Sequence, residues 1–434
     1  MEENFDSENH RDASDLVRNA DAFSAAVAQN PEGARTTDSA ARELAEALAK
    51  ALRQSRPTTA VSGQQLMGSA GLDELISSLH FILFARAATL HEALYSREAN
   101  ALMARLEDHL ALDGIEAEPS RPDVVDYRTL DPSVFYEKYV LGSRIAVIKN
   151  FDCVAWKEWS FEWFMNRFGD ERFPLLKLGE NPDLFVLPEF TEQVPLRLLF
   201  EEPGKYYFAN SQELFDRHPD LRDGLNLDEI AGCMKPTTGR SPLLEQSQQF
   251  FVSTGPSAAT GVHHGHNSNF FFNVLGAKRW TLVHPQFTFL MCAWLRPFDG
   301  ICAFHMLNEF SQSWIPTLRY LPHYEVVLGP GDVLYNPYYW WHTVDSLSNA
   351  NMGVSTRWVG RPGDAFQDPF PLATLATQCN PISRQARAEA ERDRLAGVKT
   401  NWFDRFAHGR SVQFGISNGM KPWGLTWGRP PARN

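Results

Sequence analysis

The sequence lacks any excess of positive charge: 41 Lys and Arg stand against 53 Asp and Glu, a formal net charge of -12. With no surplus of cations to neutralise phosphates, nucleic acid and anionic membranes are excluded as main partners, although a locally basic pocket is not. A basic n-region and an apolar h-region are both missing from MEENFDSENHRDASD, so no signal peptide is readable. Long hydrophobic runs are missing as well. The most apolar early stretch, LISSLHFILFARAATL, is interrupted by His80 and Arg86 and is too short for an unbroken membrane span. The five cysteines (Cys153, Cys233, Cys292, Cys302, Cys379) are odd in number and free of CxxC spacing, which fits reduced, buried thiols. Neither an internal repeat nor a low-complexity tract occurs. These absences predict a soluble, cytoplasmic protein, and 43% hydrophobic with 12% aromatic residues supplies a large core and excludes global disorder.

What is present divides into four parts. Residues 1–35 are polar and aperiodic and are expected to form a disordered arm. Residues 36–115 read as a helical module: Leu44, Leu48 and Leu52 fall at four-residue spacing. A longer stripe follows through Leu72, Leu75, Ile76, Leu79, Leu83, Leu90 and Leu94 to Leu102, Leu106 and Leu110. Core packing is the preferred reading of that stripe, and a homodimer seam is the sharper one. After a Pro-containing linker, residues 120–362 carry short apolar runs bounded by turn residues. These are SRIAVIKNF, QQFFVST, NFFFNVLG, KRWTLVHP, YEVVLG, DVLYNP and MGVSTRWVG, which predict a closed or sandwiched all-β core. The aromatic-dense WKEWSFEWFMNRFG reads as one helix ended by Gly169. Residues 363–434 hold a charged helix, SRQARAEAERDRLAG, and an aromatic tail expected to pack on the barrel or on a second subunit.

The chemistry gathers in TGVHHGHNSNFFFNVLGAKRW, with His263, His264 and His266, and about 60 residues later in GDVLYNPYYWWHTVDSL, with His342. Two short histidine-bearing strands separated by an insertion are what a cupin barrel uses to hold one metal ion. On a strand alternate residues share a face, so His263 and Gly265 point one way and His264 and His266 the other. If His263 points inward, His342 on an opposing strand completes a pair of neutral imidazole ligands. A lone histidine is more often a hydrogen-bonded core residue, but the aromatic run before His342 supplies a buried setting that suits a ligand.

The pattern T-x-x-H-H-x-x-x-x-N, then G-x-K-R, then G-D-x-x-Y-x-P-x-x-W-W-H resembles the JmjC-type, cupin-like iron(II)/2-oxoglutarate hydroxylases. Four segments match in order, IAVIKNF, KYYFANSQELFD and the two histidine strands, and the resemblance spans about residues 125–360. It implies a double-stranded β-helix (cupin, jelly-roll) core, a fold mainly of β-strands with helices. It further implies iron on His263 and His342. Lys278, with Thr260 and Tyr207, is implied to hold the distal carboxylate of 2-oxoglutarate, and Asn269 to lie near the cosubstrate. A buried lysine needs an anionic partner, which agrees with that role; the competing reading is a surface cation at a strand start.

Gly265 departs from the family pattern, which has Asp or Glu at this position. Three accounts stay open. The missing carboxylate leaves a coordination position for chloride, as in the iron/2-oxoglutarate halogenases that this sequence resembles in having a small residue there. Alternatively, a bulge shifts the register so that His264 and His266 join His342 in a three-histidine hydroxylase site. In the third account the protein binds and does not catalyse. Thr260, His263 and Asn269 match without an insertion, which favours the straight register. Arg357, in MGVSTRWVG, holds an anionic substrate group or a halide if it points inward; the competing reading is an outward arginine on an edge strand. The expected partner is a small-molecule or peptide substrate.

Overall fold

Turn residues at close spacing cut the second half of the chain into short strands, as the short apolar runs between them predict. The computed structural model describes residues 119–178, 189–235, 244–255, 259–265, 267–291, 294–296, 300–302 and 321–359, with isolated positions at 101–102, 104–105, 307, 312, 318–319 and 392. The expected N-terminal arm, nearly all of the helical module, the C-terminal extension and His266 lie outside the described residues. Among the described residues no helix is long and apolar enough to cross a membrane.

In chain order the strands are β1 (Asp123–Asp126), β2 (Ala146–Lys149), β3 (Arg172–Lys177), β4 (Glu189–Pro195), β5 (Tyr206–Ser211), β6 (Leu244–Thr254), β7 (Ala259–His263) and β8 (Ser268–Leu275). They continue with β9 (Lys278–Val283), β10 (Trp294–Arg296), β11 (Gly300–Cys302), β12 (Tyr324–Leu328), β13 (Asp332–Asn336), β14 (Trp341–Ser346) and β15 (Ala350–Val359). A nine-stranded sheet runs β1-β2-β13-β8-β15-β6-β5-β3-β4, a four-stranded sheet runs β12-β9-β14-β7, and β10 and β11 form a separate hairpin.

Strand β8 explains how the layers stack. All its residues from Ser268 to Val274 are buried, so both of its faces are covered. Phe270, Phe272 and Val274 join a large cluster with Phe164, Phe168, Leu214 and Ile230 from the helices on the outside of the nine-stranded sheet. Phe271, one residue out of step, packs with Leu334 of its own sheet and with Trp280 and Leu282 of the four-stranded sheet. The two sheets therefore enclose a second, smaller core between them. That is the jelly-roll arrangement of a double-stranded β-helix.

The link from β12 to β13 shows the turn chemistry at work. Gly329-Pro330-Gly331-Asp332 closes with the Asp332 N–H donating to the Gly329 carbonyl (3.2 Å), and Gly331 takes φ 87°, the positive φ a type II turn needs at its third residue. Asp332 also accepts from the Gly329 N–H at 2.8 Å and from Lys149 at 2.6 Å, tying the turn to β2. One expectation is corrected here. WKEWSFEWFMNRFG forms two helices, Ala155–Glu158 and Phe161–Phe168. Trp159 is extended, and Ser160 starts the second helix by accepting the Trp163 N–H at 3.0 Å. Gly169 ends that helix as expected.

Candidate metal centre

His263 ends β7, and its Cα partner across the four-stranded sheet is His342 on β14. Residues directly opposite on antiparallel strands project to the same face, and the two imidazole centroids are 4.2 Å apart. Each ring is oriented in the same way by its own backbone. His263 Nδ1 lies 2.9 Å from the Gly261 carbonyl, and His342 Nδ1 lies 2.9 Å from the Trp340 carbonyl. A carbonyl only accepts, so both Nδ1 atoms carry the proton and both Nε2 lone pairs are left for a ligand. The Asn336 amide lies 3.2 Å from His342 Nδ1 as well. The atom facing it is Asn336 Nδ2, while Asn336 Oδ1 is buried without a hydrogen-bond partner among the described residues, so turning the amide over would put an acceptor against the Nδ1 proton.

Burial keeps both rings neutral. Desolvation, with the nearby Arg357 charge assisting, pulls the His263 pKa down to about 4. Desolvation, then His263 and Arg357, hold His342 well below its ordinary value. A neutral imidazole with a free Nε2 is the form that binds metal. The ring spacing lets both reach one ion at ~2 Å from each nitrogen. Trp280 stacks on His342 with centroids 5.3 Å apart, and its indole N–H, buried in the interior, has no hydrogen-bond partner among the described residues.

His264 goes to the other face, where its ring stands edge-on to Trp341 at 4.4 Å. A bulge does occur here, but in the pairing of β14 with β7 between His342 and Val344, and it leaves His263 opposite His342. Thr260 serves that bulge, its hydroxyl accepting the Val344 N–H at 3.2 Å. Among the described residues no three His, Cys, Asp or Glu side chains come together. The candidate ligands among the described residues are therefore the two imidazoles, which would fit an ion that keeps several positions open.

Lys278, at the start of β9, is 2% exposed. Its ammonium has one weak contact, 3.5 Å to the Ser346 hydroxyl, and lies 5.8 Å from the Tyr207 ring centre. Ser253 stands 3.4 Å beyond Ser346. Desolvation pulls the Lys278 pKa down to about 8, with no acid opposing it. A buried cation with one hydroxyl contact and no carboxylate partner among the described residues suits a carboxylate brought by a ligand. The residue types T, Y and K were visible in the sequence. Ser346 and Ser253 were missed, although Ser346 falls four residues after His342 on the same face of β14.

The nine-stranded sheet supplies the opposite wall. Asn336, Asn269 and Arg357 are in register across β13, β8 and β15. Asn269 is buried and accepts from Ser355. Arg357 donates from Nε to Gln249 (2.6 Å) and from Nη1 to Asn267 (3.2 Å). The edge-strand reading of Arg357 is corrected, because β15 lies between β8 and β6 in the middle of the sheet. Gly265 sits between the walls, its carbonyl accepting the Tyr339 N–H at 2.9 Å. A Cβ there would meet Arg357 Nη1 and Asn267 Oδ1, each at 3.1 Å.

The cupin-like domain family matches residues 132–362, more than half of the chain. The chain belongs to that family. Human HSPB1-associated protein 1 is 30% identical over 93 residues, 21% of this chain and 19% of that protein. Lysine-specific demethylase JMJ30 of Arabidopsis thaliana is 24% identical over 239 residues, 52% of each chain. Lysine-specific demethylase 8 of Xenopus tropicalis is 24% identical over 225 residues, 49% of this chain and 46% of that one. The chain thus spans at most about half the length of these relatives.

Proposed function

We propose that this cupin-like protein is an iron(II)/2-oxoglutarate-dependent oxygenase that functionalises a C–H bond of a peptide or small-molecule substrate. The observation that carries the reading is the facing pair of neutral imidazoles, each with its Nδ1 against a backbone carbonyl, in a barrel that also buries a lysine with no carboxylate partner among the described residues. Similarity to two lysine-specific demethylases supports it. Iron, when bound, would supply oxidising chemistry driven by dioxygen and by conversion of 2-oxoglutarate to succinate and carbon dioxide.

In this reading His263 and His342 hold the ion through Nε2, while the Gly261 and Trp340 carbonyls fix the ring orientations. Trp280 covers one face of His342 and keeps water from it. Lys278 and Ser346 hold the distal carboxylate of 2-oxoglutarate, with Tyr207 closing the pocket; Thr260 stands at the bulge above it. Asn269, locked by Ser355, is a neutral wall beside the cosubstrate. Gly265 leaves one position of the ion without a protein carboxylate. The finer reading is that chloride takes this position and that the substrate is halogenated; the arginine next to Gly265 favours it over plain hydroxylation.

The test is metal content and turnover of the full chain. Anaerobically loaded protein should retain one iron per chain, lose it in His342→Ala, and form succinate from 2-oxoglutarate on exposure to air. Equal metal retention by the variant, or no succinate with any substrate, would leave a binding protein instead.

A further inference from the structure

The end of the barrel away from the imidazoles is closed by three turns, around Gly276, Gly331 and Leu347. Hydrogen bonds tie them together. The Gly331 N–H donates to the Asn273 carbonyl, the Leu347 N–H to the Ala277 carbonyl and the Ala277 N–H to the Ser348 hydroxyl, each at 2.9 Å. Two asparagines are sealed beneath the turns, Asn273 on β8 and Asn351 on β15, both at 0% exposure. Asn273 shares the inward face of β8 with Phe271. Asn351 lies opposite Ser253, whose hydroxyl reaches inward to Ser346 of the other sheet.

Each amide is oriented by its own nitrogen. Asn273 Nδ2 donates to the Gly276 carbonyl at 2.8 Å, and Asn351 Nδ2 donates to the Ser348 carbonyl at 2.9 Å. Turned over, either amide would set oxygen against oxygen. Both Oδ1 atoms are therefore fixed as acceptors, and neither has a donor among the described residues. Gly276 brings the pair together: its carbonyl takes Asn273, and its bare Cα, at φ 77°, admits Asn351, whose Oδ1 an added Cβ would meet at 2.5 Å. Oxygen is in surplus at this end. The N–H groups of Gly331, Leu347 and Ala277 already serve other oxygens, and Asp332, the carboxylate in register with Asn273, is engaged by Lys149 and the Gly329 N–H. A water molecule would bring lone pairs of its own to a place where these donors are engaged. A cation needs only oxygens, and without a spare carboxylate the set suits a single charge rather than a divalent ion, which gathers acidic ligands.

We propose that Asn273 Oδ1 and Asn351 Oδ1 are ligands of a buried potassium ion that pins the closed end of the barrel. The Ala350 carbonyl, which also crowds Gly276, supplies a third oxygen. The ion enters through the turn at Leu347–Asn349, which lies at the surface above Asn351. Lys278 follows Gly276 by two residues and starts β9, so the ion steadies the strand that carries the buried lysine. The site depends neither on the histidine pair nor on the oxygenase reading.

The experiment dialyses the full chain into choline chloride, titrates potassium chloride or sodium chloride at constant chloride concentration, and follows thermal unfolding. Potassium should raise the midpoint saturably, by at least about 2 °C once it exceeds its dissociation constant tenfold. Sodium, which holds its water harder, should act more weakly. The rise should vanish in Asn351→Leu and in Asn273→Leu. Equal midpoints in potassium and choline would mean that the two oxygens face no cation, and a rise that persists in both variants would place the ion elsewhere; either result overturns the proposal. If neither variant folds, thallium(I), a potassium mimic with strong anomalous scattering, decides on crystals of the wild-type chain. A peak between Asn273 and Asn351 supports the site, and peaks only elsewhere overturn it.

Discussion

At the scale of single residues, the described interior between the sheets brings two cations, Lys278 and Arg357, close to two neutral imidazoles. Lys278 gives the clearest consequence. Its ammonium is desolvated with only a long hydroxyl contact and no carboxylate among the described residues, so Lys278→Met should leave the ligand-free protein as stable as wild type or more so, since the new side chain fills a similar volume without a charge. The same change should weaken 2-oxoglutarate binding at least about 100-fold, on the order of 3 kcal/mol. Isothermal titration together with a melting curve checks both; a variant that binds 2-oxoglutarate normally would place the cosubstrate elsewhere. With the Lys278 pKa near 8 before binding, the wild-type affinity should also fall as pH rises above about 8, because the neutral amine no longer attracts the carboxylate.

At the scale of elements, strands do the positioning and turns set their registers. Gly331 is a clean probe. A Cβ there would touch nothing within 4 Å, yet its φ is 87°. Gly331→Ala should then destabilise the fold by about 1–2 kcal/mol through backbone strain alone. Urea unfolding measures this, and a neutral result would mean that the β12–β13 turn changes form. The signals that made this strand pair legible were short and local: the apolar runs YEVVLG and DVLYNP with turn residues between them. Strand alternation separated His263 from His264, since period 2 is a property of any strand. What the sequence did not disclose was cross-strand company. Asn336, Asn269 and Arg357 are far apart in the chain and meet only through the order β13-β8-β15. The central position of β15, which turns Arg357 from a surface cation into an interior one, follows from topology that no local pattern encodes. The break at Trp159 was missed for the opposite reason: a local serine cap overrode a continuous apolar pattern.

At the scale of the whole molecule, the buried imidazoles couple the site to stability. Burial pulls His263 down to about 4 and holds His342 well below its ordinary value, against 6.5 in an unfolded chain. Between those values the unfolded state binds protons that the native state does not, so stability is full above about pH 6.5 and falls as pH drops toward 4. The surface carboxylates act in a lower window. Asp126 and Asp220 are held below 3.8 by hydrogen bonds from Arg128 and Arg167, so their contribution is lost only in stronger acid. In the metal-free protein His263 alone should account for a loss of about 2–3 kcal/mol between pH 7 and pH 4.5, with His342 adding to it, and His263→Gln should lose less. Denaturant titrations at the two pH values test this; equal losses in both proteins would remove the histidines as the cause.

The division of the centre between two sheets has a further consequence. The imidazoles stand on the four-stranded sheet, while Arg357, Asn269, Asn336 and Gln249 stand on the nine-stranded one. Holding the ion and choosing what lies beside it are therefore written on separate surfaces that face each other across a seam. Substitutions on β6, β8 or β15 can retarget the chamber toward a different guest while the anchoring histidines keep their partners. Such a layout lets one scaffold change its reaction partner by redecorating a single wall.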